Sequence, residues 1–244
     1  MSLLSFKNVS KNLQDGARQI AVLDDVSFDI DAGEYVGLWG SRRSGKSTLL
    51  ELAAGIAQPD AGRILFAGED IAQMRQDERA HQRRYGGIAL ARLDWRPTRS
   101  RPVAEHVGIP LTCCGVSLGN AESLARRTLK RIDASEVEDR MTDELNLSER
   151  IRVELARALI REPRLLLVDE PALLASPGES RALYALLRSL GRKNELTVVI
   201  ASTEAAGIQG APRVFTIDDG RVRSTDSRRK VLPFRRAGVE PSAS

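Results

Sequence analysis

The stretch Glu34-Tyr35-Val36-Gly37-Leu38-Trp39-Gly40-Ser41-Arg42-Arg43-Ser44-Gly45-Lys46-Ser47-Thr48-Leu49-Leu50 decides the fold. Its apolar opening, Glu34–Trp39, predicts a buried strand ending at Gly40. A helix is expected from about Lys46 to Ala57, stopped by Pro59. Gly40 and the run Gly45-Lys46-Ser47 are separated by four residues, the spacing of a phosphate-binding loop in the strand–loop–helix setting it needs. Backbone N–H groups along Gly40–Thr48, which includes Ser41, Arg42, Arg43 and Ser44, are expected to converge on a β-phosphate. The helix N-terminus adds the positive end of its dipole. Lys46 is placed to reach the β- and γ-phosphates, and the Ser47 hydroxyl to bind Mg²⁺.

Such a loop needs a carboxylate closing a later apolar strand. Leu165-Leu166-Leu167-Val168-Asp169-Glu170 supplies one. Asp169 is expected to hold Mg²⁺, directly or through water, and Glu170 to polarise the attacking water as general base. The implied ligands are ATP or another nucleoside triphosphate, with Mg²⁺.

Working outward, short strands are expected at Leu3–Val9 and at Ile20–Ile30, where Val22, Val26, Phe28 and Ile30 alternate with polar residues. Further strands are expected at Arg63–Ala67, Tyr85–Leu90, Leu165–Val168, Thr197–Ala201, Val214–Ile217 and Arg221–Arg223. Helices are expected at Glu122–Ile132, Glu149–Ile160 and Glu179–Leu190, and residues 98–147 read as a helical insertion. Alternating strands and helices imply an α/β fold, a parallel sheet wrapped by helices.

Composition agrees. The 244 residues are 42% hydrophobic and 29% charged, which suits one large domain, or one with an insertion, and excludes a fibrous or disordered chain. Aromatics are only 4%, so the core falls to Leu, Ile, Val and Ala. A net charge of +4 is too small to indicate nucleic acid, and none is expected as a partner. No apolar run approaches the ~20 residues of a membrane span, and MSLLSFKNVS lacks the apolar centre of a secretory leader. The adjacent Cys113 and Cys114 suit neither a disulfide nor a zinc site, and are expected to be reduced packing residues in cytosol. From about Thr225 the tail is basic, with Arg228, Arg229, Lys230, Arg235 and Arg236. It reads as a solvated end, with contact to acidic lipid headgroups or a partner as the alternative.

Several strings together resemble the nucleotide-binding subunit of an ATP-binding-cassette (ABC) transporter over about residues 3–224. They are Leu23-Asp24-Asp25-Val26-Ser27-Phe28, the loop at 40–48, Gly62–Ile71, Ala156-Arg157-Ala158-Leu159 followed by Leu165–Pro171, and Asp219-Gly220-Arg221-Val222. Glu105–Gly115 with its following helix looks like the lipoprotein-releasing and macrolide-exporter branch. The resemblance implies a single nucleotide-binding domain over 1–224, with 225–244 as a flexible basic tail. It implies a RecA-like P-loop core (about 1–92 and 160–224), an antiparallel β subdomain, and an inserted α-helical subdomain (about 93–159). It also implies head-to-tail dimers that sandwich ATP and drive a membrane permease, the subunit lying peripherally on the cytoplasmic face. The adenine would stack near Leu13.

The sequence departs from the family pattern at particular positions. Where the signature Leu-Ser-Gly-Gly-Gln is expected, this chain has Leu145-Asn146-Leu147-Ser148-Glu149. Leu147 should obstruct approach to the opposite subunit's γ-phosphate, and Ser148 is expected to cap the helix. Thr203 stands where a switch histidine is expected, and the only histidines are His81 and His106. His81 reads as a solvated surface residue and His106 as a packing one. Leu90 stands near the expected hinge glutamine, Ser176 at an inter-subunit aspartate, Leu13 at an aromatic, and Arg43 at a loop glycine. Groups that hold nucleotide within one subunit are kept, and groups acting across the dimer are replaced. Binding with impaired hydrolysis is therefore expected, with a fuller ATPase subunit as preferred partner and a homodimer possible. A non-hydrolysing ATP-binding scaffold is the alternative.

Overall fold

The computed structural model describes residues 2–16, 18–74, 87–92, 100–170, 177–193 and 196–226. A four-stranded antiparallel sheet is built from β1 (Ser2–Asp15), β2 (Arg18–Asp31), β4 (Ala61–Phe66) and β5 (Glu69–Asp70), in the order β2-β1-β4-β5. A six-stranded sheet contains β3 (Tyr35–Gly40), β6 (Ile88–Arg92), β7 (Leu165–Asp169), β8 (Thr197–Ser202), β9 (Arg213–Asp218) and β10 (Arg221–Asp226). Its order is β10-β9-β3-β8-β7-β6, parallel except for the edge strand β10. Helices are α1 (Lys46–Ala53), α2 (Val103–Thr112), α3 (Leu118–Arg131), α4 (Leu147–Leu159), α5 (Pro177–Lys193) and α6 (Ala205–Ile208).

Strand β7 explains the layering. Leu165 and Leu167 enter one core with Leu4, Phe6, Val36, Leu49 and Phe215, between the antiparallel sheet and one face of the larger sheet. Leu166 and Val168 enter the other, with Val107, Leu129, Ile151, Leu155 and Leu187. All four β7 side chains are fully buried, and a strand covered on both faces reads as an unbroken apolar run. Each such side chain contributes about 1.5–3 kcal/mol. In the helical layer, α3 buries Ala121, Ala125, Thr128 and Leu129, the spacing of one helical face.

Several elements differ from expectation. β1 continues past Val9 to Asp15 because β2 pairs with it out to the turn, joining Lys11 to Leu23 and Leu13 to Ile20. α1 stops at Ala53, since Gly55 turns the chain at φ 63° before Ile56. β6 is found at Ile88–Arg92; Tyr85 and Gly86 lie outside the described residues, as do His81, Ser176 and the tail from 227. Cys113 and Cys114 form no disulfide, and Cys113 is exposed rather than packed. His106 is buried against Glu154, its Nε2 3.0 Å from Oε1.

The two sheets are pinned together at Val22. A Cβ added to Gly45 would lie 2.8 Å from the Val22 carbonyl oxygen, and one added to Gly220 would lie 2.9 Å from it. Next to this contact the Asp24 N–H donates to the Gly220 carbonyl at 2.9 Å, and the Arg221 guanidinium meets the Asp24 carboxylate at 3.0 Å. The carboxyl ends of β3, β7 and β8 thus emerge side by side beneath the antiparallel sheet, the position where open parallel sheets hold ligands.

Candidate nucleotide-binding site

A cavity of about 630 Å³ opens at those strand ends. Its phosphate-loop wall is Arg42, Arg43, Gly45, Lys46, Ser47 and Thr48, with Glu170 beside it. The remaining predicted loop residues, Gly40, Ser41 and Ser44, form the turn behind that wall, where the Ser44 N–H donates to the Ser41 carbonyl at 3.3 Å. Gly45 has φ 103° and no room for a Cβ beneath β2, so both conformation and contact demand glycine. Arg43 also has positive φ, 64°. An L-residue there carries strain of about 1–2 kcal/mol.

Lys46 opens α1 and is 5% exposed. Its ammonium donates to the carbonyls of Gly40 (3.0 Å) and Ser41 (2.8 Å) and meets Glu170 Oε1 at 3.2 Å. Glu170 leaves β7 at φ 44°, and its N–H donates to the Ala201 carbonyl at 3.0 Å. Its Oε2 accepts from the Thr203 N–H (3.0 Å) and hydroxyl (3.2 Å).

Asp169 ends β7 beside Glu170. Burial pushes its carboxyl above the usual carboxylate range, Glu170 adds to the rise, and the Ser47 hydroxyl, Lys46 and Arg92 oppose it. Its Oδ1 is buried without a hydrogen-bond partner. A hydroxyl next to a buried, unsatisfied carboxylate oxygen is a donor set that fits a hard divalent cation such as Mg²⁺.

Leu13 and Ile20 face each other across the β1–β2 hairpin and line the cavity mouth, 45% and 48% exposed. The sequence singled out Leu13 but not Gln14, Ile20 or Val22, which line the same wall. Their signal was the alternation of the second strand, which puts Ile20 and Val22 on one face.

At the start of α4, Asn146 is the N-cap rather than Ser148. Its side chain accepts from the Glu149 N–H, and the Glu149 carboxylate reaches back to the Asn146 N–H, a complete capping box. Arg140 Nη1 donates to Glu149 Oε1 at 2.8 Å, and Leu147 is exposed. Leu90 lies on β6 in a second groove of about 380 Å³ between the large sheet and the helical layer, with Ile56, Pro110, Glu154, Arg157 and Arg161.

The sequence profile of the ABC transporter family matches residues 23–173, which include both the phosphate loop and the Asp169–Glu170 pair. The chain belongs to this family. An uncharacterized ABC transporter ATP-binding protein of Mycobacterium tuberculosis (strain H37Rv) is 32% identical over 221 residues, 90% of this chain and 88% of that one. The macrolide export ATP-binding/permease protein MacB of Salmonella typhimurium is also 32% identical, over 91% of this chain but only 34% of its own length. Among solved structures, the ATP-binding cassette MJ0796, a dimer in a post-hydrolysis state bound to ADP and phosphate, superposes with a TM-score of 0.83. It is 25% identical, over 91% of this chain and 98% of that one. The fold is accordingly that of an ABC cassette, with an antiparallel β subdomain and a helical subdomain. Among the described residues no helix is long and apolar enough to cross a membrane.

Proposed function

We propose that this chain is the ATP-binding subunit of an ABC transporter complex that binds Mg-ATP tightly and hydrolyses it slowly. One observation carries the reading: Lys46, Ser47 and Glu170 line one cavity together with the loop residues Arg42, Arg43, Gly45 and Thr48, and the buried Asp169 lies next to them, within reach of the Ser47 hydroxyl. The N–H groups of that loop cradle the β-phosphate, Arg42 and Arg43 add charge, and Leu13 packs against the base. Ser47 and Asp169 hold Mg²⁺, which neutralises charge on the phosphates. Glu170 takes the proton of the attacking water.

Slow turnover follows from what faces outward. Leu147 occupies the signature position, and beside it the Asn146 and Glu149 N–H groups are already taken up by each other's side chains. A γ-phosphate from an opposite subunit meets an apolar side chain and a carboxylate there. Losing a charge-assisted hydrogen bond costs about 1.5–3 kcal/mol, roughly 10- to 100-fold in closed-dimer affinity. Thr203 supplies no imidazole for the γ-phosphate. A heterodimer with a more complete cassette is therefore the favoured assembly, and the groove around Leu90 is the docking place for the permease, which keeps the subunit at the cytoplasmic face.

Calorimetric titration with Mg-ATP tests the binding. Lys46→Ala is expected to weaken it at least about tenfold, whereas Glu170→Gln keeps it and abolishes the slow turnover. No measurable affinity for Mg-ATP would refute the reading. Turnover on the order of several per second by the chain alone, abolished by Glu170→Gln, would refute its slow-hydrolysis part. Binding with no turnover at all, alone or with its partner, assigns the chain as a non-hydrolysing scaffold.

A further inference from the structure

We infer that Thr203 is the positioning residue for Glu170, holding Oε2 so that Oε1 is the oxygen that accepts the proton of the attacking water. The inference rests on the reading of Glu170 given above. The two carboxylate oxygens have different surroundings. Oε2 is turned to the end of β8 and accepts both the N–H and the hydroxyl of Thr203, at 3.0 and 3.2 Å. Oε1 is turned to the phosphate loop, 3.2 Å from the Lys46 ammonium.

Two donors from one residue fix the carboxylate plane as well as its position. The anchor is itself held. The Trp39 indole N–H donates to the Thr203 carbonyl at 3.2 Å. On either side of Thr203, Ser202 and Glu204 exchange two hydrogen bonds, hydroxyl to carbonyl at 3.0 Å and N–H to hydroxyl at 3.1 Å. Ser202 is buried. Glu170 is also tied at its backbone, through its N–H to Ala201, at a φ of 44°. Backbone and side chain are thus gripped by two nearby residues, Ala201 and Thr203, and the strained φ is tolerated because both ends are restrained.

When the Lys46 ammonium moves onto the phosphates, Oε1 is left facing the cavity. The water oxygen then bonds to the γ-phosphorus, and the bond from that phosphorus to the β–γ bridging oxygen breaks with its electron pair going to ADP. The water proton passes to Oε1. The hydroxyl of Thr203 touches neither water nor phosphate in this step. Its contribution is orientation, for which misplacement on the order of 1 Å can cost 10²-fold in rate.

The test uses the full chain in excess over radiolabelled Mg-ATP, so that one turnover is read, with Mg-ATP affinity and melting temperature measured alongside. Thr203→Val keeps the shape and the N–H but removes the hydroxyl. It is expected to slow hydrolysis about tenfold while affinity stays within about twofold. Thr203→Ser, which restores the hydroxyl, is expected to recover most of the rate. A Thr203→Val rate equal to wild type would overturn the inference. So would a fall in rate, affinity and melting temperature together that Thr203→Ser fails to rescue. Wild-type chain that binds Mg-ATP but yields no product would overturn it while leaving the binding intact; wild-type chain that does not bind Mg-ATP would instead overturn the reading on which it rests.

Discussion

Arg43 sits in the phosphate loop with a backbone angle that favours glycine, φ 64°, and a side chain that lines the cavity. Strain and charge therefore pull in opposite directions. Arg43→Gly is expected to raise stability by about 1 kcal/mol through relief of that angle, and to weaken Mg-ATP binding through loss of the cation. Thermal melting and titration of the same variant separate the two effects, and tighter binding by the glycine variant would deny Arg43 any role toward phosphate. Asp169 is a second residue whose environment can be weighed. Its folded carboxyl is raised above the unfolded 3.8, mainly by burial. As pH climbs from near 3.8, the unfolded chain releases this proton first. The metal-free fold is therefore destabilised through that window, and the loss persists above it. Asp169→Asn in chelator should melt higher than wild type, with a gap that widens toward neutrality. Mg²⁺ should stabilise wild type but not the variant.

Helix α4 shows how local chemistry is set by reach rather than by resemblance to a pattern. Asn146 and Glu149 are three residues apart, which lets each side chain close on the other's N–H. Asn146→Ala is expected to cost about 1 kcal/mol and to lower the melting temperature by about 2–4 °C, read by calorimetry. That spacing was visible in the sequence. Alignment to a signature drew the cap to Ser148, which the structure places inside the helix as its second residue. The strands that were legible share one physical property, burial on two faces. β7 and β8 could be read because Leu165–Val168 is wholly apolar and Thr197–Ser202 is apolar or small, and the loop 40–48 because its glycines and lysine stand at fixed intervals. The far end of the β1–β2 hairpin could not, since Lys11–Gln14 is polar except for an exposed Leu13, and its pairing is with β2 rather than with the core. The place of Ile20 at the cavity mouth is hidden for the same reason: an exposed apolar residue gains meaning only once its partner Leu13 is placed opposite it. In the sequence Thr203 stands out only as a residue in place of a histidine, while its hold on Glu170 depends on the turn after β8, which no periodicity predicts.

At the scale of the whole molecule, the proposed pairing with a distinct cassette makes a prediction about assembly. The signature end of α4 closes the Asn146–Glu149 cap on itself and carries Leu147 into solvent, so under the proposal two copies of this chain are expected to gain little by closing on each other's nucleotide. Light scattering of the Glu170→Gln chain with saturating Mg-ATP is expected to give a monomer. A nucleotide-dependent homodimer would contradict the preference for a distinct partner cassette.

The contact at Val22 links places that look unrelated. Its carbonyl is wedged between Gly45, which borders the cavity, and Gly220, which sits in the β9–β10 turn. A single methyl at position 220 has nowhere to go except into that carbonyl, so it pushes the antiparallel layer off its seat and spreads the slot against which Leu13 and Ile20 close. Such a substitution would present as a nucleotide-affinity defect in a chain whose every phosphate ligand is intact.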